Sequence, residues 1–409
     1  MRRIPSRRLL AAVLLLMASA LAAPVTAASA NAAGAVHPVG VHDACSSDGL
    51  GRGVAARLDK AVADVRRSAA IPGVAVGLWI QGKGCYVRAT GVANTATREP
   101  MRTDFYSRIG SETKTFTVTA LLQLVDEGRI LLDDPIARYV HGVPNGRHIT
   151  LRHLAEMRSG LFPYSADADF AHDLLSDPTR SFTPRELLAY GYKHDNTSAP
   201  GKVFVYNNSN LVLLGLVVEK VTGHRIADVI DHRVLRPAHL EHTLFPDGPN
   251  VREFPEPHAH GYTNQTLTGA VADSTDWNPS WAWSAGAMIS DMRDLRSWAR
   301  TVATGALLSP ETQKQRLKTL PTGFPGLSYG LGIFETGGWI GHNGSIPGYE
   351  SVTVYLPAQK ATLVVLLNTD ITSGGQEPST LVARAVTGIA TPDHVYDGQA
   401  PTRQAFRRE

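Results

Sequence analysis

The stretch Ser111-Glu112-Thr113-Lys114 constrains this chain more than any other, because it sets a nucleophile and a base three residues apart at the head of an apolar run. Behind it Phe116, Ala120 and Leu124, with Leu121 and Val125 beside them, recur at helical spacing until Gly128 supplies a stop signal. The spacing predicts that Ser111 opens a buried helix. Residues three apart share a helix face, so the Lys114 amine can reach the Ser111 hydroxyl, and the positive end of the helix dipole favours an anion forming there. Serine is also a common helix cap and a first-turn lysine is usually solvated, so the pair alone is a weak signal.

Two further groups follow in order. Tyr206-Asn207-Asn208 precedes the apolar helix Leu211 to Val221, and His342-Asn343-Gly344 ends the short run Gly338-Trp339-Ile340-Gly341. A serine hydroxyl must lose its proton as it attacks a carbonyl, which requires a base within hydrogen-bond reach. Lys114 and Tyr206 both qualify. Either would need its pKa moved by about 2 to 3 units to serve at neutral pH, Lys by desolvation or Tyr by adjacent cations, and residue types do not choose between them. Asn208 offers an amide donor and acceptor for a substrate peptide bond, or a helix cap beside Ser209.

Taken together, S-x-x-K, Y-x-N and H-x-G in this order make the chain resemble the penicillin-recognising serine hydrolases. The resemblance runs from about Gly73 to about Thr369 and includes Leu121 to Gly128, Arg158-Ser159-Gly160-Leu161 and Tyr329-Gly330-Leu331-Gly332. It is nearest to the secreted serine-type D-alanyl-D-alanine carboxypeptidases, beside the class C β-lactamases. It implies an acyl-enzyme hydrolase with Ser111, Lys114, Tyr206 and His342 as catalytic residues, Tyr206 and Lys114 coupled as a proton relay. It also implies substrate contacts from Asn208, Asn343, Gly344, Ser345, Trp281 and Phe170. In that scheme Gly344 lets a substrate backbone approach, the Ser345 and Ser111 N–H groups form the oxyanion hole, and Phe170 and Trp281 line the cleft. Ser284-Ala285-Gly286 resembles the family's substrate-side turn.

The expected activity is therefore D-alanyl-D-alanine carboxypeptidase on peptidoglycan stem peptides. Esterase, D-aminopeptidase and β-lactamase activities run on the same machinery, and a noncatalytic cell-wall peptide-binding protein is the alternative of another class. Two departures bear on the choice. Relatives that cleave free C-terminal D-alanine carry an Arg after the Tyr-Gly-Leu-Gly turn, where this chain has Phe334, and the middle residue of the third motif is Asn343 rather than Thr. Both changes remove contacts to a carboxylate, which points to an ester or amide lacking one.

Arg2, Arg3, Arg7 and Arg8, then Leu9 to Leu21, then small residues through Ala33, predict a signal peptide over 1–33 and a secreted protein. In that setting Cys45 and Cys85 are expected to pair, closing a loop that stabilises by roughly 4 kcal/mol. The net charge of +3 comes partly from the leader, so nothing implies nucleic acid, and no later run is long enough to span a membrane. His258 with His260 and His239 with His242 sit in Pro- and Gly-rich loops, so neither a metal nor a cofactor is expected. The expected partner is a small peptide, ester or β-lactam, met by a monomer.

Hairpins are predicted from Gly73 to Val87 and from Ser351 to Asn368. Between them Thr183-Pro184-Arg185-Glu186 reads as a capping box, and Asp291 to Ala303 and Pro310 to Lys318 read as helices. The prediction is an α+β fold over 34–391: an antiparallel sheet from 55–110 and 325–390, flanked by helices, with a mostly helical insertion over about 111–320. A loose tail is expected over 392–409.

Overall fold

The apolar run Val74 to Ile80 and the turn after it fold into a hairpin, β1 (Gly73–Ile80) and β2 (Gly84–Gly91). The protein's structure, a computed structural model, describes residues 49–248 and 251–398, which fall in one unit. The predicted leader over 1–33, Cys45 and residues 399–409 lie outside the described residues. Short strands follow: β3 (Ser107–Arg108), β4 (Tyr262–Thr263), β5 (Ala272–Asp273) and β6 (Ile289–Ser290), with β3 paired to β6 and β4 to β5. The last third supplies β7 (Leu320–Pro321), β8 (Leu327–Tyr329), β9 (Phe334–Thr336), β10 (Trp339–Ile346), β11 (Tyr349–Leu356) and β12 (Ala361–Leu367).

One eight-stranded antiparallel sheet runs β2-β1-β12-β11-β10-β9-β8-β7. The two ends of the chain are thus zipped together, from Val74 opposite Leu367 to Ile80 opposite Ala361. Because β1 and β12 lie inside the sheet and are covered on both faces, they read as near-continuous apolar runs, whereas β11, buried along its whole length, carries Glu350, Ser351 and Thr353.

Helices cover the sheet and fill the insertion: α1 (Arg52–Ser68), α2 (Thr113–Asp126), α3 (Leu151–Ala155), α4 (Ala168–Ser176), α5 (Pro184–Tyr192), α6 (Asn208–Thr222), α7 (Ile226–Ile230), α8 (Met292–Thr304), α9 (Pro310–Arg316) and α10 (Pro378–Ala390). The expected capping box forms at α5: Thr183 accepts from Glu186 N–H, Glu186 from Thr183 N–H, and Pro184 takes the first position. Asp291 caps α8 and Ser309 caps α9. Neighbouring residues of a strand point to opposite faces. Glu350 accepts from Ser379 N–H on the α10 side, whereas Ser351 donates to the Ile109 carbonyl on the α2 side. The sheet therefore separates α1 and α10, which pack on each other, from the layer that holds Ser111.

The α+β architecture with an antiparallel sheet is as expected, and three boundaries are not. Residues 52–68 form α1, so the sheet starts at Gly73 rather than 55, and it ends at Leu367, with 378–390 helical. The predicted loose tail is packed at least through residue 398: Tyr396 is fully buried and the Trp339 indole donates to the His394 carbonyl at 2.7 Å.

Candidate active site

Ser111 sits in a 3-10 turn, Gly110–Glu112, that runs into α2, a helix buried from Thr113 to Leu122. The turn lies against β10 because two glycines leave room. Gly110 has φ +49, and a Cβ there would stand 2.8 Å from Ser345 N; a Cβ on Gly344 would stand 1.9 Å from the Ile109 carbonyl oxygen. This corrects the role expected for Gly344: the space where its side chain would be is filled by the protein's own Ile109, not left for a substrate. The Ser345 N–H is meanwhile brought beside the residue preceding Ser111.

Lys114 is fully buried, with Nζ 2.8 Å from Ser111 Oγ and 2.7 Å from the Ala285 carbonyl, to which it donates. The Ser284-Ala285-Gly286 turn thus anchors the lysine. Burial holds the amine well below the usual lysine pKa. Tyr206 is delivered by the loop entering α6, where Asn207, not Asn208, caps the helix by accepting from Ser209 N–H at 2.8 Å. Its hydroxyl lies toward Ser111, and its ring lies 4.8 Å from Lys114 Nζ. Burial raises the Tyr206 pKa, so desolvation acts in opposite senses on the two base candidates. The amine is driven toward its neutral, lone-pair form, and the phenol is kept protonated.

His342 is 1% exposed, with Nδ1 2.6 Å from the Asn343 carbonyl and Nε2 3.0 Å from the Tyr329 hydroxyl. A carbonyl only accepts, so the ring proton sits on Nδ1 and Nε2 accepts from Tyr329. Burial first, with the Lys114 and Arg316 charges, lowers the His342 pKa to about 3. It is a neutral hydrogen-bonding group, held by the Tyr329 phenol. Tyr329 also meets Tyr206 edge to face at 6.5 Å. Arg316, from a Lys- and Gln-rich helix that reads as solvated, is buried and donates to Thr119 Oγ1 at 2.8 Å and the Thr115 carbonyl at 3.0 Å, tying α9 to the helix of the nucleophile.

Asn208 reaches Ser165 Oγ at 3.5 Å, and its Oδ1 is buried without a partner, an acceptor left for something else. Asn343 does not join this group. Its side chain leaves β10 on the α10 face and donates to Glu377 at 3.0 Å, because alternation sends His342 and Asn343 to opposite faces. Phe170 is 0% exposed inside a cluster with Tyr164, Phe182 and Tyr190, so it presents no surface to a cleft. Trp281 is half-buried, with its carbonyl accepting from Tyr164 at 2.6 Å. Phe334 is 1% exposed, packed on His342 at 5.3 Å and Tyr396 at 6.3 Å. Among the described residues no cluster of three His, Cys, Asp or Glu could hold a metal ion, and no helix is long and apolar enough to cross a membrane.

The family described as Beta-lactamase matches residues 58–387. A D-stereospecific amidohydrolase from Streptomyces sp. is 29% identical, with 83% of this chain and 99% of that one covered and a TM-score of 0.74. The D-amino acid amidase from Ochrobactrum anthropi SV3, complexed with L-phenylalanine amide, is 26% identical over 83% of this chain and 97% of that one, with a TM-score of 0.72. The D-aminopeptidase of Brucella anthropi is 27% identical over 79% of this chain and 61% of its own length. The chain spans less than two thirds of the length of the first curated relatives it matches.

Proposed function

The chain belongs to the β-lactamase family of serine hydrolases, and from that premise we propose that it cleaves amide or ester bonds of D-amino-acid substrates lacking a free carboxylate, through an acyl-enzyme on Ser111. Lys114, with its lone pair facing Ser111 Oγ, takes the serine proton as the hydroxyl attacks the carbonyl. The oxyanion forms between the Ser111 and Ser345 N–H groups. Tyr206 gives its proton to the departing nitrogen or oxygen and is recharged from the Lys114 ammonium. A water then retraces the steps to release the acid. Asn208 Oδ1 is placed to accept a substrate N–H, and the Trp281 face lines the approach.

The observation that carries the substrate class is Phe334. A buried phenyl against His342 stands where a carboxylate clamp would need a cation, and the guanidinium nearest in effect, Arg316, is 1% exposed and committed to Thr119 Oγ1 and the Thr115 carbonyl. The likeness to an amidohydrolase and a D-amino acid amidase points the same way. The His form of the third motif favours the D-alanyl-D-alanine carboxypeptidase reading instead. Turnover of D-alanine amide, a D-alanine p-nitrophenyl ester, a D-Ala-D-Ala peptide and nitrocefin separates them. The amide and ester should exceed the free-acid peptide at least about tenfold in kcat/KM, roughly 1.4 kcal/mol of discrimination. A strong preference for the free acid would return the carboxypeptidase to first place.

Export through the 1–33 leader, a Cys45–Cys85 disulfide and a monomeric state belong to the same proposal. Intact native mass of protein recovered from culture medium, before and after reduction, reads all three. A retained leader or a mass unchanged by reduction and alkylation would remove the corresponding part.

A further inference from the structure

Glu112 follows the nucleophile in its 3-10 turn, and no step above uses it. Its side chain is 1% exposed and faces not the cleft but β11, with the carboxyl set toward the Ser351 and Thr353 hydroxyls. Neither oxygen has a close hydrogen bond. A buried carboxylate is normally held by several close donors or a cation, and neither is supplied here. The proton count on β11 agrees. Ser351 already donates its hydrogen to the Ile109 carbonyl at 3.2 Å, so it can offer Glu112 only a lone pair, which a carboxylic O–H can meet and a carboxylate cannot. Thr353 Oγ1 has no close partner and retains a hydrogen for the other Glu112 oxygen. The same Ile109 carbonyl accepts the Glu112 N–H at 3.2 Å, so backbone and side chain of Glu112 both turn toward the strand.

We propose that Glu112 is a positioning residue that, as a neutral carboxylic acid, holds the Ser111 turn against β11 and keeps the serine hydroxyl aimed at Lys114. This rests on Ser111 being the nucleophile. The titratable and charged groups near it include Lys114 on α2, His342 on β10, Glu350, Tyr349 and Tyr355 on β11, Arg108 on β3, which donates to the Thr275 and Trp277 carbonyls, and Glu377 and Tyr396 on the α10 side, where Glu377 accepts from Asn343. Burial lowers the pKa of Lys114 and of His342 and raises that of Tyr396, Glu350 points to the other face and accepts from Ser379 N–H, and no charged neighbour acts on the Glu112 carboxyl. Ionisation of Glu112 is therefore opposed by burial and helped by no neighbouring cation. Burial pushes its pKa up to about 8, which places the loss of the contact within reach of a pH series.

The test compares ester turnover and β-lactam acylation by wild type, Glu112→Gln and Glu112→Ala between roughly pH 6 and pH 10. Wild type should lose rate as pH rises through about 8. The Gln variant keeps the shape and cannot ionise, so it should stay within about threefold of wild type at neutral pH and lack that alkaline limb, while the Ala variant should be slow throughout. An unchanged limb in the Gln variant would overturn the proposal, as would a Gln variant as impaired at neutral pH as the Ala variant. Should the Gln variant not fold, infrared spectra of wild type decide: a buried protonated carboxyl band at neutral pH that vanishes in alkali supports the neutral acid, and its absence refutes it. A wild type that is never acylated would instead remove the Ser111 assignment itself.

Discussion

Ser111→Ala is expected to abolish covalent labelling by a fluorescent penicillin and to cut ester and amide turnover by about 10⁴-fold or more, as removal of the nucleophile does in other serine hydrolases. The fold should survive. Ser111 is 7% exposed and its hydroxyl is bonded to Lys114 Nζ, so its loss costs about 1 kcal/mol of stability, the usual size for one buried hydrogen bond. Near-wild-type circular dichroism with no label is the predicted result. A variant that still carried label would move the nucleophile elsewhere.

Lys114→Met and Tyr206→Phe should each slow acylation by at least ~100-fold, and the double variant should be little worse than the poorer single one, because one proton passes through both groups. Multiplied losses would show two separate roles. The pH behaviour separates the partners. A lysine base whose pKa is held far below its ordinary value acts once pH exceeds that lowered value, so the wild-type acid limb lies well below the usual lysine range. The residual rate of Lys114→Met should lack that limb. Stability carries the matching sign. The unfolded chain binds a proton at Lys114 that the folded one refuses, so folding is penalised between the lowered and the ordinary pKa, and the penalty fades as pH rises toward the latter. Lys114→Met should accordingly be more stable than wild type at neutral pH, by a margin that shrinks in alkali. Equal margins across the range would mean that the buried amine keeps its proton.

What the sequence made legible was what is encoded locally. The Ser111 and Lys114 spacing, the Gly128 stop, both hairpins and the Thr183 capping box need only a few adjacent residues to declare themselves, and all appear in the structure. Helix α1 carries few local marks: Gly51 precedes it without a side-chain bond, no acid marks its first turn, and only Leu58 and Val62 are buried. The remaining differences are matters of sidedness and distance. That Asn343 faces α10 while His342 faces Lys114 depends on which face of β10 meets the Ser111 turn, and the motif His-Asn-Gly does not encode it. Gly344 was assigned to the substrate because its neighbour, the Ile109 carbonyl, comes from the far side of the chain. Tyr329 and Arg316 gain their places only when β8 and α9 are laid against α2. Phe170 shows the opposite case, where an aromatic at a matching position serves the core.

The pairing of β1 with β12 has a kinetic side. The Gly73 N–H is closed by Asn368 Oδ1 across 295 residues of sequence, and β10, which carries His342 and Ser345, is separated from β1 by two strands, β12 and β11. A chain emerging from the ribosome presents Ser111 long before the strand that completes its surroundings exists. Non-local pairing of this kind slows folding, since the entropy of closing so large a loop must be met before the contacts reward it. Until the layers around it close, Lys114 lacks the burial that lowers its pKa. On the proposed mechanism Ser111 would gain its base only when sheet and insertion have come together, after the whole length of chain between β1 and β12 has been made.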